Sequence, residues 1–434
     1  MNSKRGAALL IVLVFLLLGT ILAAALLSSA TGQARLAGRQ VNLERALLLA
    51  DAGVERATKV IEDQFGYLPQ TTRGNGTVGG GTYAYTIEKT GRRVYSVVAT
   101  GVVNYVSRVV RLSRVYLPTW AKYALWMDQN GEIYFIPGEE FYGHVHSNSK
   151  LWFSCYGGAG PHFWAECTSG ASTYGGTTNY CIFARGFELN AEEGEMADVD
   201  FETGTYSLKG LASGAAGIGV VNGLVLQGHT WIRLTNDTMR IYNARRNPAN
   251  FNWAVGDDQI VYVDRATTGP STNRQAMVYL QGGVLRGRLT IVAEDDIQIQ
   301  NHIRYYTNPE TTTNLSNDSL GLIAKDDVLV ATTAPNNLQI FAAILATGQY
   351  APSDHGSFGV INYDTGPTRG RLHVFGSIVQ DVRGAVGTFD NNGPRTGYYK
   401  DYRFDTRFVT NAPPYYPVLE DQVGYTGWSE APPT

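Results

Sequence analysis

The sequence is poor in charge, in cysteine and in the motifs of common enzymes. Charged residues make up 17 % of the 434 residues, and the net charge of −3 gives no reason to expect a nucleic-acid partner. No G-x-S-x-G elbow, H-E-x-x-H pair, Walker loop or dinucleotide fingerprint occurs where structure would support it. The sequence therefore predicts a protein that is not an enzyme.

The chain contains three cysteines, at Cys155, Cys167 and Cys181. An odd count permits one disulfide and one leftover thiol, and the spacing does not choose the pair. No paired C-x-x-C of a structural zinc site is present, so a disulfide is favoured over a metal.

Proline is absent before Pro69, and Ala7 to Ala30 carries no charged residue. About 20 apolar residues span a hydrocarbon core, so residues 7–30 predict a transmembrane segment. A cleavable secretory signal would be shorter, and helix-forming sequence follows where its cleavage region should be. Lys4 and Arg5 predict a cytoplasmic amino terminus, because positive residues stay inside.

An amphipathic segment, 33–65, continues this run, so one helix over 7–65 is expected. Its apolar positions recur at three- and four-residue spacing, which is typical of a helix that packs one stripe against a partner. The stripe consists of Leu36, Leu43, Leu47, Ala50, Val54, Ala57 and Ile61. The opposite, charged face is interpreted as solvated.

The stretches KRGAALLIVLVFLLLGTILAAALL and ERALLLADAGVERA resemble the amino terminus of type IV pilin-like proteins, above all PilX-type minor pilins and the related large pseudopilin of type II secretion. The resemblance implies a leader over 1–6, cut by a prepilin peptidase after Gly6, with Ala7 as the new terminus. It also implies an inner-membrane protein whose partners are other pilin-like subunits and whose head lies in the periplasm or outside the cell. Ile11 stands where major pilins carry a glutamate, which argues against a bulk filament subunit.

The rest of the chain predicts β-structure, so the expected fold class is α+β with a long amino-terminal helix. Residues 66–81 are rich in glycine and predict a loop. Strand-like runs at 83–88, 94–100 and 106–116 predict a small antiparallel sheet within a domain at 66–118. A large all-β head is expected over 119–434.

Internal repeats mark the head. LTIVAEDDIQI from Leu289 and LGLIAKDDVLV from Leu320 align at an offset of 31 residues, and LQIFAAIL from Leu338 resembles LHVFGSIV from Leu372. Repeats of this length predict a right-handed parallel β-solenoid or a related stacked sheet, clearest over 277–380. The stretch from Phe141 is interpreted as an earlier rung, residues 154–287 as an insertion, and the tyrosine- and proline-rich end as a cap.

Two sets of polar residues are candidate sites. Stacked rungs would bring Asp295 and Asp296 close to Asp326 and Asp327, where the four serve as turn residues, as a calcium site or, least favoured, in catalysis. His144 and His146 lie two apart on a strand and, with His162, could hold zinc or copper. Ser147 and Asn148 instead favour a turn.

Three hypotheses about function remain open. The first is a pilin-like structural subunit that displays its head outside the cell and needs no cofactor. The second is a membrane-anchored carbohydrate-active protein that uses the Asp pairs. The third is a head that binds a polysaccharide or surface partner through aromatic residues between 154 and 287.

Overall fold

The structure is a computed structural model that describes residues 3–191, 193–194, 199–215, 223–269, 274–311, 316–349, 355–419 and 423–431; at 3–8 only the backbone is described. It divides into two compact units. The first comprises Met1–Tyr116 and Val423–Thr434, and the second comprises Leu117–Gln422. This division lies close to the boundary expected at residue 118, whereas residues 423–431 belong to the first unit and not to the head.

After a long first helix, β-strands follow one another along most of the chain. The first unit begins with α1 Ser3–Asp63, β1 Thr71–Val78, β2 Gly81–Gly91, β3 Val94–Val103 and β4 Val106–Tyr116. The second unit contains β5 Leu125–Gln129, β6 Tyr134–Phe135, β7 Glu140–Phe141, β8 Val145–Ser147, β9 Trp152–Phe153, β10 His162–Phe163, β11 Cys167–Ser169, β12 Gly175–Gly176, β13 Ile182–Phe183, β14 Phe187–Leu189, α2 Leu208–Ser213, β15 Gly223–Gln227, β16 Thr230–Asn236, β17 Thr238–Asn243, β18 Asn250–Ala254, β19 Gln259–Asp264, β20 Val278–Leu285, β21 Arg288–Ala293, β22 Ile297–Ile299, β23 Ile303–Tyr305, β24 Ser319–Ala324, β25 Val328–Val330, β26 Gln339–Ala346, β27 Phe358–Val360, β28 Thr368–Val382, β29 Gly387–Asp390 and β30 Gly393–Phe404. The last strand, β31 Gly424–Ala431, belongs to the first unit.

The amino-terminal helix α1 is unbroken from Ser3 to Asp63, as expected for a stretch without proline. It ends where Phe65 and Gly66 adopt positive φ angles of 49° and 68°. The Gly66 amide donates to the Ile61 carbonyl at 2.9 Å, which satisfies a carbonyl of the last turn. The single long helix predicted from the sequence is confirmed.

The second half of α1 packs on the antiparallel sheet of its own unit. Ala46, Ala50, Ala57 and Ile61 are completely buried. The approach is close at Gly101 of β3, where a Cβ atom would lie 2.1 Å from the Ala46 carbonyl oxygen. Small residues on both elements therefore let the helix lie directly on the strand.

The segment predicted as a loop over 66–81 contains strand β1, so that expectation is wrong. Gly74 and Gly76 of β1 pair with Tyr85 and Tyr83 of β2. A Cβ atom at either glycine would fall within 2.4 Å of the tyrosine hydroxyl. These glycines make room for aromatic rings that cover the strand, and they do not break it.

The expectation that the chain end caps the head holds only as far as residue 419, where the Ala412 and Pro414 carbonyls accept hydrogen bonds from Arg288 and Thr290 of β21. Residues 424–431 lie in the first unit and do not cap the head. Strand β31 pairs antiparallel with β4, which gives the sheet order β1-β2-β3-β4-β31. Arg108 of β4 forms an ion pair with Glu430. Strand β4 is therefore covered by the returning chain and is not the exposed edge.

The second unit is a parallel stack, which confirms the solenoid-like fold. One ladder runs without interruption through β15, β19, β21, β24, β26, β28, β5, β8, β11 and β14. A second runs through β16, β20, β23, β26, β28, β30, β7, β10 and β13. The chain thus enters in the middle of the stack at β5 and winds to one end. It resumes at β15 at the other end and winds back until β28 meets β5.

The registers agree with the repeats. Leu289 pairs with Leu320 at the offset of 31 residues, and Gln339 pairs with His373 at 34 residues. Residues 154–287, expected as an insertion, are instead largely rungs of the same stack. Their inward positions carry aromatic rings, such as Phe163 and Phe183, which stack in line with Phe141 and do not resemble the aliphatic repeat.

His373 of β28 lies between two carboxylates at the second ladder. Its Nδ1 is 3.0 Å from an oxygen of Asp401, and its Nε2 is 3.0 Å from one of Glu310. Burial alone would lower the pKa of His373, but the hydrogen bonds to Asp401 and Glu310 outweigh burial and raise it to about 9.

Because the folded pKa of His373 exceeds the ordinary value of about 6.5, its ion pairs stabilise the fold fully below pH 6.5, and this stability is lost as the pH rises through 9. We therefore expect the His373→Gln variant to have a lower Tm than the wild type at pH 6, and the difference to shrink towards pH 9.5. Calorimetry of the full chain in detergent measures both. His162→Gln, whose ring lies against Trp164, serves as the control. A Tm difference independent of pH would contradict the prediction.

Candidate functional site

The most extended apolar surface in the described part of the chain is the first half of α1. From Leu9 to Leu27 its large apolar side chains are exposed, with 45–70 % of each accessible. By length and composition this helix can cross a membrane. Gly6 and Ala7 lie within the same helix, and cleavage between them stays a prediction.

The predicted packing stripe is divided by the structure. Ala50, Ala57 and Ile61 are buried within the first unit, and Leu43, Leu47 and Val54 are half-buried. Leu36 is 68 % exposed, as is Leu48, which lies outside the predicted stripe. The stripe thus combines residues that hold the unit's own sheet with residues that remain available to a partner, and packing against neighbouring helices stays a prediction.

The Asp pairs follow β21 and β24 and lie on adjacent rungs, as the register predicts. The Asp327 amide donates to Asp296 at 3.2 Å, and the Ser357 amide donates to Asp327 at 2.7 Å. Each carboxylate therefore caps the next rung, whereas bonds within its own turn were expected. Burial raises the pKa of Asp296 to about 6.

Asp295 differs from the other three acids. Its carboxylate is 5 % exposed, forms an ion pair with Arg265 and accepts a hydrogen bond from the Ala276 amide. Asp296, Asp326 and Asp327 each place one oxygen within 4.8 Å of the others. Oxygen ligands at this spacing suit a hard cation, so calcium at these three residues stays a prediction, and Asp295 is not placed to join them.

A second acidic group was not foreseen from the sequence. Glu202, Asp264 and Glu294 each place one oxygen within 4.8 Å of the others, although they come from separate parts of the chain. Lys209 lies 2.7 Å from Asp264, and burial raises the pKa of Glu294 to about 8. A proton on Glu294 and the Lys209 ammonium reduce the charge of this group.

His146 is completely buried and hydrogen-bonded at both ring nitrogens. Its Nε2 is 2.7 Å from Oδ1 of Asn148, and its Nδ1 is 2.8 Å from the Thr168 hydroxyl. The Asn148 amide nitrogen donates to Asp128, which fixes Oδ1 as the acceptor and places the proton on Nε2 of His146. Burial lowers the pKa of His146, in accord with a neutral ring.

His144 forms an ion pair with Glu193 instead. Its Nε2 is 3.0 Å from the Glu193 carboxylate. Burial would raise the pKa of Glu193, but the hydrogen bond and charge of His144 outweigh it and lower it to about 2. Among the described residues, the converging groups suited to a metal include neither His144 nor His146. Their hydrogen bonds favour a structural role, and the predicted zinc or copper site stays untested.

The three cysteines fall into two environments. Cys167 is 1 % exposed and occupies a core position between Val145 and Phe187 of the first ladder. The sulfur atoms of Cys155 and Cys181 lie 3.7 Å apart, and both residues are partly exposed. Of the pairs that the sequence left open, the structure brings together Cys155 and Cys181.

We expect oxidation to join Cys155 to Cys181 and to leave Cys167 reduced, because only the first two thiols are adjacent and accessible. Closing a loop of this length contributes about 3–4 kcal/mol. Peptide mapping after treatment with oxidised glutathione identifies the pair, and the Cys167→Ala variant should give the same linked peptide. A bridge involving Cys167 would contradict the prediction.

Comparison with known proteins identifies the amino terminus. Residues 5–55 match the family model described as PilX N-terminal. No curated protein matches the chain. Among solved structures, the competence-associated pilin ComZ from Thermus thermophilus is similar at 10 % identity, covering 90 % of this chain and 97 % of that one. Its TM-score of 0.33 is too low to establish a common fold.

The family match covers the exposed apolar helix and stops within the part of α1 that packs on the sheet. It does not extend into the parallel stack. The chain therefore carries a PilX-type, type IV pilin-like amino terminus over residues 5–55, followed by a large β-rich head.

Proposed function

We propose that the protein acts through assembly and not through catalysis. A prepilin peptidase removes residues 1–6, and the apolar part of α1 holds the mature chain in the inner membrane with its amino terminus in the cytoplasm. The chain then enters a type IV pilus or a related filament through α1, and its head lies outside the membrane.

The observation that supports this proposal most directly is the exposed apolar surface of α1. The large apolar side chains from Leu9 to Leu27 are exposed in the described chain, and exposing this much apolar surface to water is costly. A lipid bilayer and the helices of neighbouring subunits both cover such a surface. Ile11 adds no charge to it, which suits an accessory subunit.

The hypothesis of a carbohydrate-active enzyme has less support. It needs a pair of free carboxylates, one acid and one base or nucleophile, on either side of a substrate. Asp295 is instead neutralised by Arg265, and Asp296 and Asp327 accept backbone hydrogen bonds from adjacent rungs. These contacts support a structural role for the Asp pairs.

Processing by a prepilin peptidase predicts that the mature chain begins at Ala7. Amino-terminal sequencing of the protein from cells measures this, and a Gly6→Leu variant should retain Met1 because the cleavage site is altered. If the wild-type protein retains Met1, it is not processed by a prepilin peptidase, and α1 serves only as a membrane anchor. A start beyond Ser28 would mean ordinary secretion and would contradict the proposal.

Assembly through α1 predicts that the exposed Leu36 contacts a neighbouring subunit. We expect Leu36→Gln to lower co-purification with filament subunits about tenfold, since a buried leucine contributes roughly 1.5–3 kcal/mol. The Tm of the isolated protein should stay unchanged, because Leu36 is exposed there. Arg56→Gln, at an exposed position of the charged face, is the matched control. Equal co-purification of the Leu36 variant and the wild type would contradict this contact.

A further inference from the structure

The outer face of strands β16, β17 and β20 carries a row of aromatic side chains. Trp231 pairs with Tyr242 on one side and with Tyr279 of β20 on the other. The Trp231 and Tyr279 rings are stacked at 4.8 Å with 16° between their planes, and Tyr242 lies 5.4 Å from Trp231. Ile232 and Ile241, the neighbours of this row along the strands, are buried, so the aromatic row faces outward.

A row of polar side chains runs beside the aromatic row. Arg233 pairs with Arg240, Arg240 pairs with Asn252, and Asn250 pairs with Tyr242. Together with β20 these strands border an open cavity of about 560 Å³. Its lining includes Trp231, Arg240, Tyr242, Asn250, Asn252 and Gln281, and Arg233 adjoins it as the cross-strand partner of Arg240. We call this cavity the Trp231 cleft.

Arg233 and Arg240 lie opposite each other on paired strands, an arrangement that does not stabilise the protein when no ligand is bound. Like charges directly opposite each other on paired strands destabilise a sheet. In the described part of the chain, no carboxylate forms an ion pair with Arg233 or Arg240. Arg240 lines the cleft and Arg233 is its cross-strand partner, so two exposed guanidinium groups without a carboxylate partner are open to an external anion there.

We propose that the Trp231 cleft binds a carboxylated saccharide. The aromatic row offers a flat apolar surface for the C–H face of a sugar ring. Asn250, Asn252 and Gln281 offer amides that donate to and accept from hydroxyl groups. Arg233 and Arg240 together bind the carboxylate. A cavity of about 560 Å³ is within the usual range for small-ligand sites.

Single-stranded nucleic acid is the other ligand that stacks on aromatic rings beside arginines. It requires a positively charged groove that follows several phosphates. The net charge of the chain is −3, and Arg246 of the β17–β18 connection lies over the Phe251 ring at 4.3 Å. Three neutral amides and one opposed arginine pair suit hydroxyl groups with an isolated carboxylate better than a run of phosphates.

The test measures binding to the full chain in detergent by calorimetry, with three carboxylated probes, one neutral probe and a twelve-residue oligothymidylate. The acidic probes are tetragalacturonate, a hyaluronan tetrasaccharide and 3′-sialyllactose, and the neutral probe is maltotetraose. We expect saturable binding of at least one acidic probe and at least tenfold weaker binding of maltotetraose. Trp231→Ala should weaken binding of the acidic probe about tenfold or more through lost stacking.

The Arg233→Gln/Arg240→Gln double variant separates charge recognition from folding. It should bind the acidic probe at least tenfold more weakly, because hydrogen bonds to charged groups are lost, and its Tm should be equal or higher, because a repulsion is removed. Tyr180→Ala, an exposed aromatic outside the cleft, should bind as the wild type does. The proposal is overturned if no acidic probe binds, if both cleft variants bind normally, or if only a twelve-residue oligothymidylate binds.

Discussion

The second unit depends on a junction between parts of the chain that are far apart in sequence. Strand β28 pairs with β5 through Ile378 and Leu125, and β30 pairs with β7 through Tyr402 and Phe141. Until β28 and β30 arrive, the rungs that begin at β5 present an unpaired edge with open hydrogen-bonding groups. The parallel stack becomes continuous only when both parts of the chain meet there.

This junction is built from charged as well as apolar groups. Lys400 and Glu139 form a buried ion pair at 2.6 Å, and Arg383 donates to Asn130 at 2.9 Å and to the Ile133 carbonyl at 3.0 Å. Buried charges stabilise only when their partners are in place, and a wrong pairing leaves them uncompensated. A rung of purely aliphatic residues could stack on several others, whereas these polar groups fit one partner. We infer that they specify which rungs meet.

Regular features could be predicted from the sequence, and exceptional ones could not. The proline-free apolar run predicted α1, and the repeats at Leu289 and Leu320 predicted the correct register because similar rungs stack in line. Strand β1 was missed because Gly74 and Gly76 look like breakers until Tyr85 and Tyr83 cover them. The order of the rungs could not be predicted, because a local sequence pattern does not show that the chain enters the stack at a middle rung.

The same distinction applies to candidate sites on a stacked fold. Residues repeated at equivalent positions, such as Asp296 and Asp327, converge because of the stacking itself, and their hydrogen bonds to the next rung account for them. A ligand site, by contrast, breaks the repeat. The hairpin of β16 and β17 adds antiparallel strands to a parallel stack and exposes aromatic rings. It also places Arg233 opposite Arg240, and this repulsion lowers the stability of the sheet without serving the stacking of the rungs. Residues that depart from the repeat without stabilising the fold are therefore the stronger indication of binding.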